Sequence, residues 1–344
     1  MKTKNIILMG TATVTMIVAV AGYNMVNSGF EVSEPTSLYV DADDNIDSLK
    51  RKLTETCHPD NSFILDINLR LFNLDRHMRT GHYVIQPGMS MMKAVRNVHN
   101  HSQTPVRLVV PSVRTVADMA QRLSKQVMAD SAAIMQALTD ETVVKDLGYT
   151  NETLPCLFIP NTYEVYWDVK VNDLLRRLKK ENEVFWNEER RHKLAEVSSY
   201  AGEEMTIEKV VTLASIVDSE TANNSEKPAI AALYMNRLRI GMPLQSDPTV
   251  KFALQDFALR RILHKHLEVD SPYNTYKNKG LPPGPICVPS IAGIDAVLNH
   301  ANHEYIYMCA KEDFSGTHNF AVGYAEHQRN AARYAAALNK RNIH

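Results

Sequence analysis

The sequence predicts an α+β protein with a small unit and a larger one behind an apolar N-terminal segment. Three observations carry this reading. At 344 residues the chain exceeds the usual size of one domain, so two folded units plus a terminal segment are expected. Short β-branched runs such as Val106-Arg107-Leu108-Val109-Val110 are interspersed with longer segments of helical periodicity. Residues 6–26 carry no charge and follow Met1-Lys2-Thr3-Lys4, and about 20 apolar residues suffice to span a bilayer.

The basic start orients such a span with its N-terminus inside the cytoplasm. Residues 1–28 are therefore expected to be a transmembrane helix, a single-pass anchor in the inner (cytoplasmic) membrane with the rest of the chain on the periplasmic, extracytoplasmic side. Ala19-Val20-Ala21 also has the small-x-small form of a signal-peptide cleavage site. Continuation of the apolar run to Met25 and Val26 favours the anchor. With 38 basic and 39 acidic side chains the net charge is -1, so no global field draws the protein to nucleic acid, and partner choice is local. Four widely spaced cysteines, Cys57, Cys156, Cys287 and Cys309, show no metal-ligand spacing and read as buried free thiols. The 13 histidines form no HExxH motif, so no metal is expected.

Residues 28–43 are polar and mixed and read as a linker. Residues 49–53 and 63–74 have spacing suited to short helices. Residues 79–90, with the Pro87-Gly88 turn and Ser90 before an apolar-periodic stretch at 92–98, predict a strand, a turn and a Ser-capped helix. This arrangement resembles a LysM-like module, a small fold associated with glycan chains, and gives a linker and module over 29–104 and a main α+β domain over 105–344. In the latter a strand at 106–110 precedes helices at 116–128 and 131–138, a polar break at 157–163 and a charged helix over 173–191.

The chemistry concentrates later. Thr206 is a helix N-cap, and apolar residues at Ile207, Val210, Val211, Ala214 and Val217 define a packed face. Glu220 continues along one edge of that face, where partial desolvation would raise its pKa. Asp218 lies on the other flank, and periodicity does not choose between them. Pro228 opens a further helix whose stripe is Ile230, Leu233, Tyr234 and Leu238, so Asn236 and Arg237 fall outside it. Gln245, Asp247 and Thr249 alternate along a segment read as extended and would face one side. Tyr273, Asn274, Thr275 and Tyr276, followed by the turn-rich 280–285, form a shaped loop of aromatic and hydrogen-bonding groups.

These residues carry a resemblance. The helix ending at Glu220, Tyr234-Met235-Asn236-Arg237-Leu238 with residues 241–249, the loop 273–285, His318-Asn319-Phe320 and Ala325-Glu326-His327 are similar to the MltG/YceG-like endolytic murein transglycosylases across residues 205–344, with weaker similarity back to Gly81. The resemblance implies a peptidoglycan lytic transglycosylase that cuts MurNAc-GlcNAc bonds within nascent glycan strands and leaves a 1,6-anhydroMurNAc end, near peptidoglycan synthases and without a cofactor. The family pattern Glu-x-Glu-Thr, whose second acid is catalytic, maps that role onto Glu220 and leaves Asp218 supporting. Asn161 stands where the family has an acid. Asn236, Arg237, Gln245, Asp247, Thr249, Tyr273, Asn274, Thr275, Tyr276 and His318 are the substrate-binding candidates; Asn236 and Arg237 could equally brace the 245–249 loop, the aromatics could equally be core, and His327 reads as structural. A hydrolytic muramidase and a non-catalytic peptidoglycan-binding scaffold remain as rivals, and no GxSxG elbow supports a serine hydrolase.

Overall fold

The computed structural model describes Met16 and residues 18–20, 22–259 and 261–341, which divide into two compact units. The 6–26 stretch lies largely outside these residues. Among the described residues no helix is long and apolar enough to cross a membrane.

The first unit gathers the described residues up to Leu108 with the returning segments Lys125–Ala129 and Glu164–Lys170. Strand β1 (Thr36–Val40) pairs antiparallel with β2 (Gly81–Ile85), Leu38 opposite Tyr83 and Val40 opposite Gly81. Between them run α1 (Ile46–Cys57), α2 (Ser62–Leu71) and the short α3 (Leu74–His77), and α4 (Met91–His99) follows. Asn45 and Ser48 close a capping box on α1, Asn61 caps α2, and Ser90 caps α4 as expected. Leu38, Leu49, Leu53, Leu65, Ile85 and Val95 meet in one core. The expected linker over 28–43 is thus corrected: it contains β1, whose alternation of exposed Ser37 and Tyr39 with buried Leu38 and Val40 is too short to stand out from a polar segment.

The chain enters the second unit along β3 (Val106–Val110), whose ladder partner is β4 (Asn161–Val165). Helices α5 (Val116–Ser124), α6 (Ser131–Thr139) and α7 (Glu141–Asp146) lie between them. The single helix expected over 173–191 is instead two, α8 (Val171–Phe185) and α9 (Glu188–Ala201). The reason is local: Trp186 is buried at the junction, and Asn187 starts a new helix by accepting the Arg190 amide. Three of the four free thiols are buried as expected, and Cys309 is half-buried.

Helix α10 (Ile207–Glu220), capped by Thr206, is the central element. Every residue from Val210 to Val217 is buried, so the helix is enclosed all round and not on one face alone. It packs against α11 (Lys227–Arg239), α12 (Asp247–Leu254) and α14 (Ile291–Leu298), with the short α13 (His264–Leu267) next to α12. Its interior hydroxyl at Ser215 donates to Thr212 O and accepts the Ile286 amide, which ties the end of the 280–285 loop to the helix. Strands β5 (Tyr307–Ala310) and β6 (His318–Ala321) pair antiparallel and pack on α15 (Tyr324–Lys340). Leu213 is fully buried; Leu213→Ala is expected to lower unfolding free energy by about 2–5 kcal/mol, measured by urea denaturation, and a change below the error of that measurement would show that α10 is not the organising helix.

Candidate active site

Helix α10 ends at Glu220 because Thr221 turns extended (φ -144°, ψ 139°). The Glu220 side chain is thereby presented at the C-terminal end of a buried helix, where backbone carbonyls make a negative charge unfavourable. Two hydroxyls donate to its Oε1: Tyr234 Oη of α11 at 2.7 Å and Ser246 Oγ at 2.5 Å. With Oε1 accepting twice, Oε2 is left to carry a proton. Burial lifts this carboxyl above the usual glutamate range, and the negative charge of Asp247 adds to the rise. The Ser246 and Tyr234 hydrogen bonds and the nearby His318 pull the other way without cancelling it. The residue keeps part of its surface open to solvent, so a proton held there has a way out.

Asp218, two residues earlier, is in a different condition. Its Oδ1 pairs with Lys227 Nζ at 2.8 Å, and its Oδ2 accepts the Ser290 amide at 2.5 Å. A Cβ at Gly293 would collide with the same carboxylate, so a glycine in the first turn of α14 makes room for it. Asp218 thus fastens the end of α10 to the starts of α11 and α14, and both of its oxygens are engaged.

A chain with this site can be compared with known proteins. The model of the YceG-like family matches residues 38–333. The chain belongs to the YceG-like family. It is 31% identical to an endolytic murein transglycosylase of Bacillus subtilis over 238 residues, 66% of this chain and 62% of the relative. It is 26% identical to the endolytic murein transglycosylase of Streptococcus pneumoniae over 293 residues, 75% of this chain and 51% of the relative. The chain therefore spans only about half to three fifths of these curated relatives. A 2.6 Å crystal structure of a YceG-like protein from Listeria monocytogenes aligns with a TM-score of 0.55 and 26% identity, covering 87% of this chain and 99% of that one.

In this YceG-like chain the ten sugar-binding candidates separate into two groups. Gln245 and Asp247 are exposed, and Tyr276 and His318 are half-buried. Tyr276 donates to Asp247 Oδ1 at 2.6 Å. His318 is anchored by Glu226, which takes its backbone amide at 2.7 Å and faces its Nδ1 at 2.9 Å. These four present polar groups from the elements that surround Glu220. The second group is framework. Asn236 is buried and gives its amide to the carbonyls of His303 and Tyr305. Arg237, also buried, donates to the carbonyls of Ile306, Pro243 and Leu244, so it braces the chain leading into the 245–249 loop, whereas Asn236 holds the 303–305 segment instead. Asn274 holds the carbonyls of Leu267 and Val269. Thr275 accepts the Ser246 amide and shares a 2.8 Å hydrogen bond with Thr249. The Tyr273 ring lies tilted against Phe252, the centroids 4.7 Å apart, and burial pushes its phenol up to about 12.

The extended reading of residues 245–249 is corrected: α12 begins at Asp247, so Thr249 turns into the core while Asp247 stays outside. Pro248 is compatible with a first helical turn, where its missing amide is not needed. Gln245 adopts a left-handed φ of 54°, sparsely populated by non-glycine residues, and its amide is held by Thr275 O at 3.1 Å. Reasoning from sequence missed four contributors. Ser246 falls between the alternating positions 245, 247 and 249, Tyr234 belongs to the apolar stripe of α11, and Glu226 and Lys227 lie in an unremarkable charged turn. The only available signal was that a tyrosine closing a stripe carries a hydroxyl that needs a partner when buried.

Because Glu220 binds its proton more tightly folded than unfolded, its contribution favours folding most below the usual glutamate range and is lost as pH rises through the folded pKa. Glu220→Gln removes this loss. Relative to wild type, the variant is expected to gain stability as pH rises above the ordinary glutamate pKa of about 4, read by chemical denaturation over a series of pH values; a pH-independent difference would contradict a raised pKa.

Proposed function

We propose that the protein is a peptidoglycan lytic transglycosylase acting within glycan strands, with Glu220 as its general acid and base. The observation that carries this reading is the contrast between two nearby acids: Glu220 is largely desolvated, hydrogen-bonded on one oxygen and inclined to stay protonated, whereas Asp218 is bound to Lys227 and the Ser290 amide. The names of the related B. subtilis and S. pneumoniae proteins support the same class.

On this reading the Glu220 proton passes from Oε2 to the glycosidic oxygen between N-acetylmuramic acid and N-acetylglucosamine as the bond to C1 breaks, and positive charge grows on C1. The carboxylate left behind is steadied by the Tyr234 and Ser246 hydroxyls, whose hydrogen bonds favour the charged form. It then takes the proton of the muramic acid 6-hydroxyl, whose oxygen closes on C1 to form the 1,6-anhydro ring. Glu220 ends protonated as it began, no water is consumed, and one carboxyl suffices. On this reading Gln245, Asp247, Tyr276 and His318 meet sugar hydroxyl and acetamido groups.

A second reading rests on Asp247. It is an exposed acid whose charge is felt at Glu220, and a second carboxylate is what a hydrolytic muramidase needs to activate water. Product mass separates the two, since an anhydro end is one water lighter than a reducing end. Glu220→Gln is expected to reduce anhydro-ended products by about 10²–10⁴-fold with the fold intact. Asp218→Asn should act mainly on stability, because it leaves Lys227 buried without its counter-charge. Wild-type turnover in folded Glu220→Gln would overturn the assignment.

The unit formed by β1, β2, α1, α2, α3 and α4 is read as a LysM-like module, supported by its antiparallel strand pair with α1, α2 and the short α3 between the strands. The 6–26 segment is read as a retained membrane anchor that keeps the enzyme near peptidoglycan synthases. Sequencing the mature N-terminus from the membrane fraction should return Met1; a mature chain starting after Ala21 in the soluble fraction would refute the anchor.

A further inference from the structure

Beside the end of α10 lies a cavity of about 430 Å³ within the second unit. It is lined by Asp218, Ser219, Thr221 and Ala222 of the helix end, so chain on both sides of Glu220 reaches it. Its chemistry differs from that around Glu220. Three cations, Arg114, Lys227 and Lys251, line it against a single lining acid, Asp218. Lys227 is committed to Asp218 at 2.8 Å, and no ion pair among the described residues engages Arg114 or Lys251. The Arg114 guanidinium instead lies 5.4 Å from the Phe257 ring centroid, and Phe252 stands 6.4 Å from that ring. The result is a small pocket with an excess of positive charge and an aromatic wall, in a protein whose net charge is -1.

A repeating aminosugar backbone gives such a pocket nothing to do, because its hydroxyl and acetamido groups are neutral. The acidic substituent of that backbone is the lactyl arm of muramic acid, with the carboxylate-bearing peptide it carries in unprocessed strands. We propose that this cavity is the subsite for that peptide arm, with its carboxylates met by Arg114 and Lys251 and its aliphatic parts packed on Phe252 and Phe257. This rests on the transglycosylase reading and adds substrate selectivity to it: strands that retain their peptides are preferred over stripped ones. The volume falls in the range of small-ligand sites and is too small for more than a short arm. Charge-assisted hydrogen bonds supply the discrimination, since a stripped strand offers neither cation a carboxylate.

The test uses the full chain, the charge-neutral variants Arg114→Gln, Lys251→Gln and their double, and two probes: a soluble disaccharide-peptide and the same disaccharide without peptide. Calorimetry should show the double variant binding the disaccharide-peptide about tenfold or more weakly than wild type, as expected for two lost charge-assisted contacts, with a much smaller change for the bare disaccharide. On glycan strands, the ratio of kcat/KM for peptide-bearing over stripped substrate should fall by a similar factor. Thermal unfolding controls for folding, and both side chains reach the surface of the pocket. Wild-type affinity for the disaccharide-peptide in the folded double variant overturns the proposal, as does a wild-type protein that binds both probes equally. Charge-dependent binding of the disaccharide-peptide by a wild-type protein that cuts neither strand supports the subsite and sinks the transglycosylase reading instead.

Discussion

The second unit is organised around one carboxyl at the end of a helix whose middle turns are buried on every side. Placing Glu220 there sets two unfavourable conditions for its charged form, burial and the negative end of the helix, and only partly relieves them through the hydroxyls of Tyr234 and Ser246. Both hydroxyls donate to the same oxygen. A carboxyl held in this way keeps its proton to higher pH than an ordinary glutamate but retains partners that can stabilise it once that proton has gone. That combination is what a single group needs in order to serve first as acid and then as base.

Much of the surrounding polarity serves to keep those two hydroxyls in place. Ser246 is buried, and its amide is gripped by Thr275, which is itself tied to Thr249; Asn274 secures the loop that carries Thr275, and Arg237 gathers the carbonyls leading into it. At the start of α11, adjacent residues of opposite charge divide the remaining work: Glu226 orients His318, and Lys227 neutralises Asp218. Buried ion pairs are weak evidence for stability; here the pairs fix where three separate elements meet. The catalytic proposal therefore draws on the network as well as on the acid.

The same separation of roles accounts for having two acids so close together. A carboxylate locked to a lysine beside another that is desolvated lets the two differ in protonation without repelling one another, a pattern by which acid and anchor are told apart. Asp218, turned toward the cationic cavity, and Glu220, turned toward Tyr234 and Ser246, sit on opposite sides of the helix end. On the proposed reading a glycan strand lies across that end, with its sugars on the Glu220 side and its peptide arm on the Asp218 side.

Local chemistry alone determined a good part of this protein. Side-chain caps at Ser90 and Thr206, the Pro228 start of α11 and the left-handed Gly241 after it (φ 64°) follow from backbone preferences that act over a few residues. Order and spacing of motifs were enough to reach the YceG-like family. What sequence reasoning could not separate were outcomes set by partners distant in the chain. Periodicity placed Asp218 and Glu220 on equivalent flanks, and only Lys227, Ser290 and Gly293 on one side and Tyr234 and Ser246 on the other made them unlike. Asn236, Arg237, Thr249, Asn274 and Thr275 have the composition of a sugar site, yet buried polar groups must find hydrogen bonds, and the fold uses theirs to brace the loops. Whether an amide or hydroxyl meets a substrate or a neighbouring carbonyl depends on which elements close over it, and that is decided by tertiary packing.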